Sequence, residues 1–215
     1  MVENKMNVRD GVVMKNKKTV VMVIAAIMVI ALAFLVMVGC SDEQTSNKIK
    51  KWEPQDKEVE QVLGILTEGS YYSIGSYIAD KDMKSVNFGY EYYKGSDLIS
   101  DEECGSVSLT KEAAAGLVGV YIDDKDFRMF CSEKEESAGA VRGSLKGWKN
   151  KGKSVGFSPL EEEESFEKGK KCYIAALAEG GSLENPEAMH SDKELLKKNK
   201  KNWLFYVVFS DEKAK

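Results

Sequence analysis

The feature that most constrains the fold of this chain is an uncharged stretch that begins after Lys18 and ends at Cys40. Its residues from Val20 to Val38 are dominated by valine, isoleucine, alanine and methionine. A run of about 20 apolar residues is long enough to cross the hydrocarbon core of a bilayer, which is about 30 Å thick. The water-exposed fold therefore has to be formed by the residues that follow Cys40.

Residues on both sides of the apolar stretch have the order of an export signal. The positive charges that precede it are Lys15, Lys17 and Lys18. The small residue Gly39 lies directly before Cys40. The segment Val36-Met37-Val38-Gly39-Cys40 resembles the lipobox of bacterial lipoproteins, although Met37 occupies a position where that family most often has leucine.

This resemblance covers residues 14–40 and implies lipidation at Cys40. In that family the cysteine thiol receives a diacylglycerol group, the signal is cleaved before the cysteine, and the cysteine becomes the N-terminal residue. Two or more acyl chains give stable anchoring, because each buried methylene contributes about 0.8 kcal/mol. The implied location is the extracytoplasmic face of the cell membrane, with the lipid bilayer as a partner through acylated Cys40.

An uncleaved membrane-spanning helix is the alternative for the same stretch. Both interpretations place the following chain outside the cytoplasm, because lysines flank the inner end of the segment. Met14, which is followed by lysines, is a more typical start for a signal peptide than Met1. We expect a signal peptide over 1–39, lipidated Cys40 with a flexible tether over 40–54, and a single globular domain over 55–215.

The charge of the exported part excludes one class of partner. The whole chain has a formal net charge of −4, and residues 1–40 contain more basic than acidic residues. The part that remains after cleavage is therefore more acidic than the whole. An acidic domain is a poor nucleic-acid binder, so we expect a protein or small-molecule partner instead.

Several segments alternate between apolar and polar residues, which is typical of half-buried antiparallel strands. The clearest is the segment from Val86 to Tyr92, and the segment from Trp203 to Phe209 is apolar throughout, as in a central strand. Further strands are predicted at 71–79, 106–109, 117–122, 127–131 and 172–177.

Helices are predicted where a serine is followed three residues later by glutamate, the capping-box pattern. These pairs are Ser132 with Glu135, Ser158 with Glu161, and Ser191 with Glu194. Another helix is predicted from Gln55 to Leu66, since its apolar residues recur at helical spacing. The expected fold class is α+β: a mainly antiparallel sheet with helices packed on it.

Residues 75–84 resemble residues 119–128, and each copy contains the sequence Asp-Lys-Asp. The simple interpretation is two similar hairpins, because aspartate is common in turns. The alternative is a calcium site, since carboxylates are hard oxygen ligands. The candidate ligands are Asp80, Asp82, Asp123, Asp124 and Asp126. Their spacing does not match an EF-hand loop, so no metal site is predicted.

No catalytic or cofactor-binding residue is predicted. His190 is the one histidine, and no metal-ligand spacing surrounds it. A nucleophilic pair would have to form in space between His190 and Cys104, Cys131 or Cys172. An odd number of cysteines after Cys40 leaves at least one free thiol. Buried free thiols are expected, with Cys104 and Cys131 as the first pair to test for a disulfide.

Two groups of residues could form a binding surface. Six of the nine tyrosines lie between Tyr71 and Tyr93, where packing across strands explains them equally well. Lysines surround Trp148 and precede Trp203, which is typical of a solvated face or of contact with anionic headgroups. The lysines are Lys146, Lys149, Lys151, Lys153, Lys193, Lys197, Lys198, Lys200 and Lys201.

The favoured function is a non-enzymatic binding or interaction module, and the alternative is a cell-envelope hydrolase or thiol enzyme that uses His190 with a cysteine.

Overall fold

The structure, a computed structural model, describes residues 47–54, 56–67, 70–110, 115–133, 138–148 and 155–214. The lipobox and the apolar stretch before it lie outside these described residues. The strands are β1 Lys48–Lys51, β2 Tyr71–Ile78, β3 Ser85–Lys94, β4 Asp97–Ser108, β5 Ala115–Asp123, β6 Asp126–Glu133, β7 Ala138–Ser144, β8 Val155–Pro159, β9 Glu164–Ser165, β10 Lys171–Glu179 and β11 Lys201–Ser210. The helices are α1 Lys57–Leu66, α2 Pro186–Ser191 and α3 Lys193–Lys197. Among the described residues, no helix has both the length and the apolar character needed to cross a membrane.

The strands form two antiparallel sheets that pack face to face. Sheet A has the order β7-β6-β5-β2-β1-β9, and sheet B has the order β4-β3-β11-β10-β8. Side chains alternate between the two faces of a strand, so one face of each sheet contributes to a shared core. Phe127 of sheet A and Phe205 of sheet B meet there, with ring centroids 5.7 Å apart. We call this region the inter-sheet core.

The prediction of an α+β fold is wrong, because the described chain is mainly β. Ser132 pairs with Leu117 in the β5–β6 ladder, and Ser158 pairs with Ala176 in the β8–β10 ladder, so neither begins a helix. A capping box describes only four residues of local sequence. Strand pairing over longer distances overrides it at both places.

Two of the predicted helices do form, each with a different first residue. Helix α1 begins at Lys57 rather than Gln55, and the carboxylate of Asp56 accepts a hydrogen bond from the backbone N–H of Glu58. Near the third capping box, Ser191 ends α2, and Asp192 caps α3 instead. Aspartate is as good an N-cap as serine, which explains the shift by one residue.

Six of the seven predicted strands are confirmed, and the seventh, 106–109, covers only the last three residues of β4. The two clearest, β3 and β11, pair along their whole lengths, with Tyr92 opposite Trp203 and Val86 opposite Phe209. The alternation in β3 buries Phe88 and Tyr90 in the inter-sheet core. The period of two in the sequence therefore identified both the strand and the face that it buries.

Only the second copy of the internal repeat is a hairpin. Strands β5 and β6 join through a two-residue turn, with Asp123 opposite Asp126 and Asp124 at a φ of 52°. The first copy connects β2 in sheet A with β3 in sheet B, so the prediction of a hairpin there is wrong. Both edges of β2 are already paired, with β1 and β5, and β3 has to pair elsewhere.

Strand β1 lies within the segment 40–54 that was expected to be a tether. Lys48–Lys51 form β1 between β2 and β9, and Ile49 lies in the inter-sheet core. Lys48 lies opposite Ile78, at the end of the molecule where β3 begins and β11 ends. We call this the proximal end, and we call the opposite end, with the β5–β6 turn, the distal end.

Candidate functional site

A cluster of polar and aromatic side chains surrounds Glu91 on the outer face of sheet B. Because Tyr90 and Tyr92 point into the inter-sheet core, the alternation of β3 directs Glu91 and Tyr93 to the opposite face. Glu91 is nevertheless buried, with only 4% of its surface exposed. A buried carboxylate requires hydrogen-bond donors, so its partners determine what this cluster can do.

Three side chains satisfy the Glu91 carboxylate. The ammonium of Lys171 donates to Oε1 at 2.6 Å, and the Tyr93 hydroxyl donates to Oε2 at 2.6 Å. The ring nitrogen Nδ1 of His190 lies 3.3 Å from Oε2. These partners come from β10, from β3 itself and from α2, so Glu91 joins the sheet to the helix that covers it.

Lys171 also links this carboxylate to a second one. Its ammonium lies 2.5 Å from Oδ2 of Asp101, whose Oδ1 accepts a hydrogen bond from the Tyr206 hydroxyl at 2.7 Å. The same ammonium lies 4.3 Å from the centre of the Tyr206 ring, in cation–π geometry. Each of the four carboxylate oxygens therefore has a partner within the cluster.

The electrostatics of the cluster keep Glu91 and Tyr93 each in one protonation state. Burial alone would raise the pKa of Glu91, but the hydrogen bonds from His190, Lys171 and Tyr93 outweigh it and lower the pKa to about 2. Burial and the Glu91 carboxylate raise the pKa of Tyr93. Glu91 is therefore an anion and Tyr93 a neutral donor across the physiological range.

His190 lies at the edge of the cluster. Its ring stacks on Tyr173, with centroids 4.3 Å apart and an angle of 22° between the planes. The Tyr173 hydroxyl lies 3.4 Å from Nε2, and the His190 side chain is 39% exposed. Burial, followed by the charge of Glu91, raises the pKa of Tyr173, so this phenol is not an activated nucleophile.

The three cysteines that follow the lipobox are free thiols and belong to or border the inter-sheet core. Cys172 points into that core, whereas its neighbour Tyr173 points to the outer face where His190 lies. Burial raises the pKa of the Cys104 thiol to about 11, and that of Cys131 and Cys172 to about 12. A reactive cysteine needs a lowered pKa. The structure therefore does not bring His190 and a cysteine together as a catalytic pair.

We expect the buried thiols to be unreactive while the protein is folded. Iodoacetamide at about pH 8 should modify Cys131 and Cys172 at least about tenfold more slowly than in denaturant, because the thiolate is the reacting species. Peptide mass spectrometry gives the rate for each cysteine, and half-buried Cys104 serves as the internal comparison. Modification of Cys172 in the folded protein at the rate of a free thiolate would contradict this assignment.

Four of the five aspartates considered as calcium ligands have other partners. Asp80 accepts a hydrogen bond from Asn47, and Asp82 forms an ion pair with Lys168. In the second copy, Asp124 accepts from the Trp148 indole and Asp126 accepts from the Ser144 hydroxyl. Throughout the described parts of the chain, no three His, Cys, Asp or Glu side chains are placed to hold a metal ion.

Most of the tyrosines between 71 and 93 are packed. Tyr77, Tyr90 and Tyr92 lie in the inter-sheet core and Tyr93 lies in the Glu91 cluster, whereas Tyr72 is 39% exposed. The tyrosines of this segment therefore do not line one continuous exposed groove, and as a group they do not favour a ligand-binding site.

The two lysine-rich segments meet at the distal end. The Trp148 ring contacts the Trp203 ring edge to face, with centroids 5.2 Å apart. Lys146 and Lys201 each form an ion pair, with Glu102 and Glu179. Lys149, Lys151 and Lys153 lie outside the described residues.

Sequence reasoning missed most of the Glu91 cluster. Glu91 occupies an outward position of an alternating strand, which is also the pattern of a solvent-exposed glutamate. Asp101 lies directly opposite it in β4, and a lysine from a third strand forms an ion pair with both carboxylates. Only the strand order brings these three side chains together.

No protein-family model matches this sequence, and no curated protein or solved structure matches it. The functional argument therefore rests on the chemistry and the placement of the residues described above.

Proposed function

We propose that this protein is a lipid-anchored binding module on the extracytoplasmic face of the membrane and that it is not an enzyme. The main support is the placement of its chemically reactive residues. His190 contacts Glu91 and Tyr173 on the outer face of sheet B, whereas Cys131 and Cys172 are buried in the inter-sheet core. The Glu91 cluster stabilises the docking of α2 on the sheet, which is a structural role.

The position of β1 is consistent with an anchor at Cys40. Only residues 41–46 separate that cysteine from the described chain. At about 3.3–3.6 Å per residue, this connection can span at most about 25 Å. Strand β3 has ten residues, so the distal end lies about 33 Å from the proximal end. The lipid holds the proximal end near the bilayer, and the distal end is available to partners.

We expect Cys40→Ala to abolish both fatty-acid incorporation and signal cleavage. After growth with an alkyne-tagged palmitate analogue, the wild-type protein should be labelled and should lack residues 1–39. The variant should be unlabelled and should keep the full-length mass, because the peptidase requires the modified cysteine. Cys104→Ala is the matched control, since Cys104 lies within the fold, and it should behave as wild type. Labelling of Cys40→Ala would show that the fatty acid is attached elsewhere.

A further inference from the structure

Four large side chains form one row across the outer face of sheet A. Tyr72 lies opposite Tyr121, Tyr121 opposite Arg128, and Arg128 opposite Arg142. Their neighbours Ile122, Phe127 and Val141 lie in or against the inter-sheet core, so the row faces outward. We call these four residues the arginine row.

The two arginines have no acidic partner among the described residues. The ion pairs that the described chain forms use lysines or His190. Asp126, two positions before Arg128 in the same strand, accepts a hydrogen bond from the Ser144 hydroxyl at 2.6 Å instead. Like charges directly opposite each other in a ladder destabilise the sheet, so Arg128 and Arg142 together favour the binding of an anion.

The chemistry of guanidinium narrows the class of anion. Its planar fork forms paired hydrogen bonds with carboxylate and phosphate groups, and such charge-assisted bonds are the strongest hydrogen bonds that proteins make. Arg142 is exposed and Arg128 is half-buried. Because these two residues lie opposite each other on the outer face of sheet A, both guanidinium groups can approach one ligand from that face.

The aromatic half of the row favours a carbohydrate over a peptide. Tyr72 is 39% exposed and Tyr121 is half-buried, and the Tyr121 hydroxyl lies 2.9 Å from that of Ser70. Strands β2, β5 and β6 are paired on both edges, so a peptide cannot add as a new strand beside these residues. At these three strands recognition has to use side-chain faces, whereas β7, which carries Arg142, is the last described strand of sheet A. A tyrosine ring offers an apolar surface with a polar edge, which suits a sugar ring.

We propose that the arginine row binds a carbohydrate chain that carries phosphate or carboxylate groups. The row crosses three gaps between strands, which corresponds to about 14 Å, so it suits an oligomer. It lies next to the β5–β6 turn at the distal end, away from the point where β1 enters the fold. This inference rests on the proposed function, because the anchor determines which end faces away from the bilayer.

The test is a calorimetric titration of the full-length protein in uncharged detergent micelles. The probes are hexagalacturonate for carboxylate, maltohexaose phosphorylated on its 6-hydroxyl groups for phosphate, and unmodified maltohexaose as the neutral control. At least one charged probe should bind, more weakly at higher salt, and maltohexaose should not. The doubly substituted protein R128A/R142A should bind at least about tenfold more weakly, and Tyr72→Ala should weaken binding by about threefold or more.

Lys198→Ala is the matched control, because it removes one exposed positive charge at the end of α3, which packs on sheet B rather than on sheet A. Its affinity should stay within about twofold of wild type. R128A and R142A are also tested singly and checked by thermal unfolding, so that loss of binding is measured on folded protein.

Equal binding by wild type and R128A/R142A would overturn the proposal. Binding of neither charged probe would also overturn it, as would tighter binding of hexaglutamate titrated under the same conditions. Palmitate labelling at Cys40 is a separate measurement, so failure of the anchor and failure of this site are distinguishable.

Discussion

Replacing Glu91 by alanine is expected to lower the free energy of unfolding by about 3–5 kcal/mol, the usual effect of removing one partner from a buried ion pair. The substitution would remove the acceptor of Lys171 and Tyr93, which donate to it at 2.6 Å each. It would also remove the contact between Glu91 and His190, so that α2 would be held on sheet B by the stacking of His190 on Tyr173 and by buried Met189. Denaturant unfolding of the full-length protein, followed by tryptophan fluorescence, measures the change.

Two variants separate this effect from the loss of any surface carboxylate. Glu103→Ala removes an exposed acid from the neighbouring strand and should change stability by less than about 0.5 kcal/mol. Glu91→Gln keeps the shape of the side chain and removes its charge. A loss of less than about 1 kcal/mol in Glu91→Ala would contradict a buried, fully satisfied carboxylate.

The stabilisation by Glu91 should also depend on pH in a defined direction. Its pKa is about 2 in the folded protein, against an ordinary value of 4.5. A lowered pKa stabilises the fold when the pH lies above the unfolded value, and this stabilisation is lost as the pH falls toward the folded value. The difference between wild type and Glu91→Gln should therefore be full above about pH 5 and shrink toward about pH 2. A constant difference across that range would contradict the assignment.

Replacing Trp203 by alanine is expected to cost about 3–5 kcal/mol, which is typical of truncating a buried tryptophan. Trp203 is fully buried and stacks on Tyr92, with ring centroids 5.3 Å apart. It also packs against Trp148, and its indole donates a hydrogen bond to the backbone carbonyl of Lys146 at 2.9 Å. Its loss should loosen the distal end, where both sheets meet the segment around Trp148.

Chemical denaturation again gives the measurement, with circular dichroism as the signal because the fluorescence changes with the tryptophan itself. Trp203→Phe should lose less stability than Trp203→Ala, since a ring remains to stack on Tyr92. Leu98→Ala is the control, because Leu98 is 53% exposed and should change stability by less than about 0.5 kcal/mol. If Trp203→Ala unfolded at the same denaturant concentration as Leu98→Ala, the packing described here would be wrong.

The strands could be predicted where the sequence itself carries the period of two, and β1 shows where it could not. In Lys48–Lys51 the one apolar residue is Ile49, flanked by lysines, which is also the composition of a tether. Its strand conformation depends on pairing with β2 on one side and β9 on the other. Neither partner can be identified from four residues of sequence.

Strand β7 lies in a segment where the sequence predicted the wrong element, a helix. Gly139 and Gly143 follow the helix start that was predicted at Ser132, and the structure has both of them on a strand. A Cβ at Gly139 would lie 2.4 Å from the Val107 side chain, and one at Gly143 would lie 2.6 Å from the Phe127 ring. Close approach of neighbouring side chains requires both glycines, but two glycines four residues apart do not identify the element that carries them. Because β7 was not foreseen, neither was the pairing of Arg142 with Arg128.

The most direct test of a lipid-anchored module is mass spectrometry of the protein purified from membranes. We predict an N-terminal peptide that begins at Cys40 and carries the mass of a diacylglycerol group, with the sequence Ser-Asp-Glu-Gln after the cysteine. An unmodified peptide that contains Gly39 and Cys40, in a protein that still begins at Met1 or Met14, would contradict the anchor.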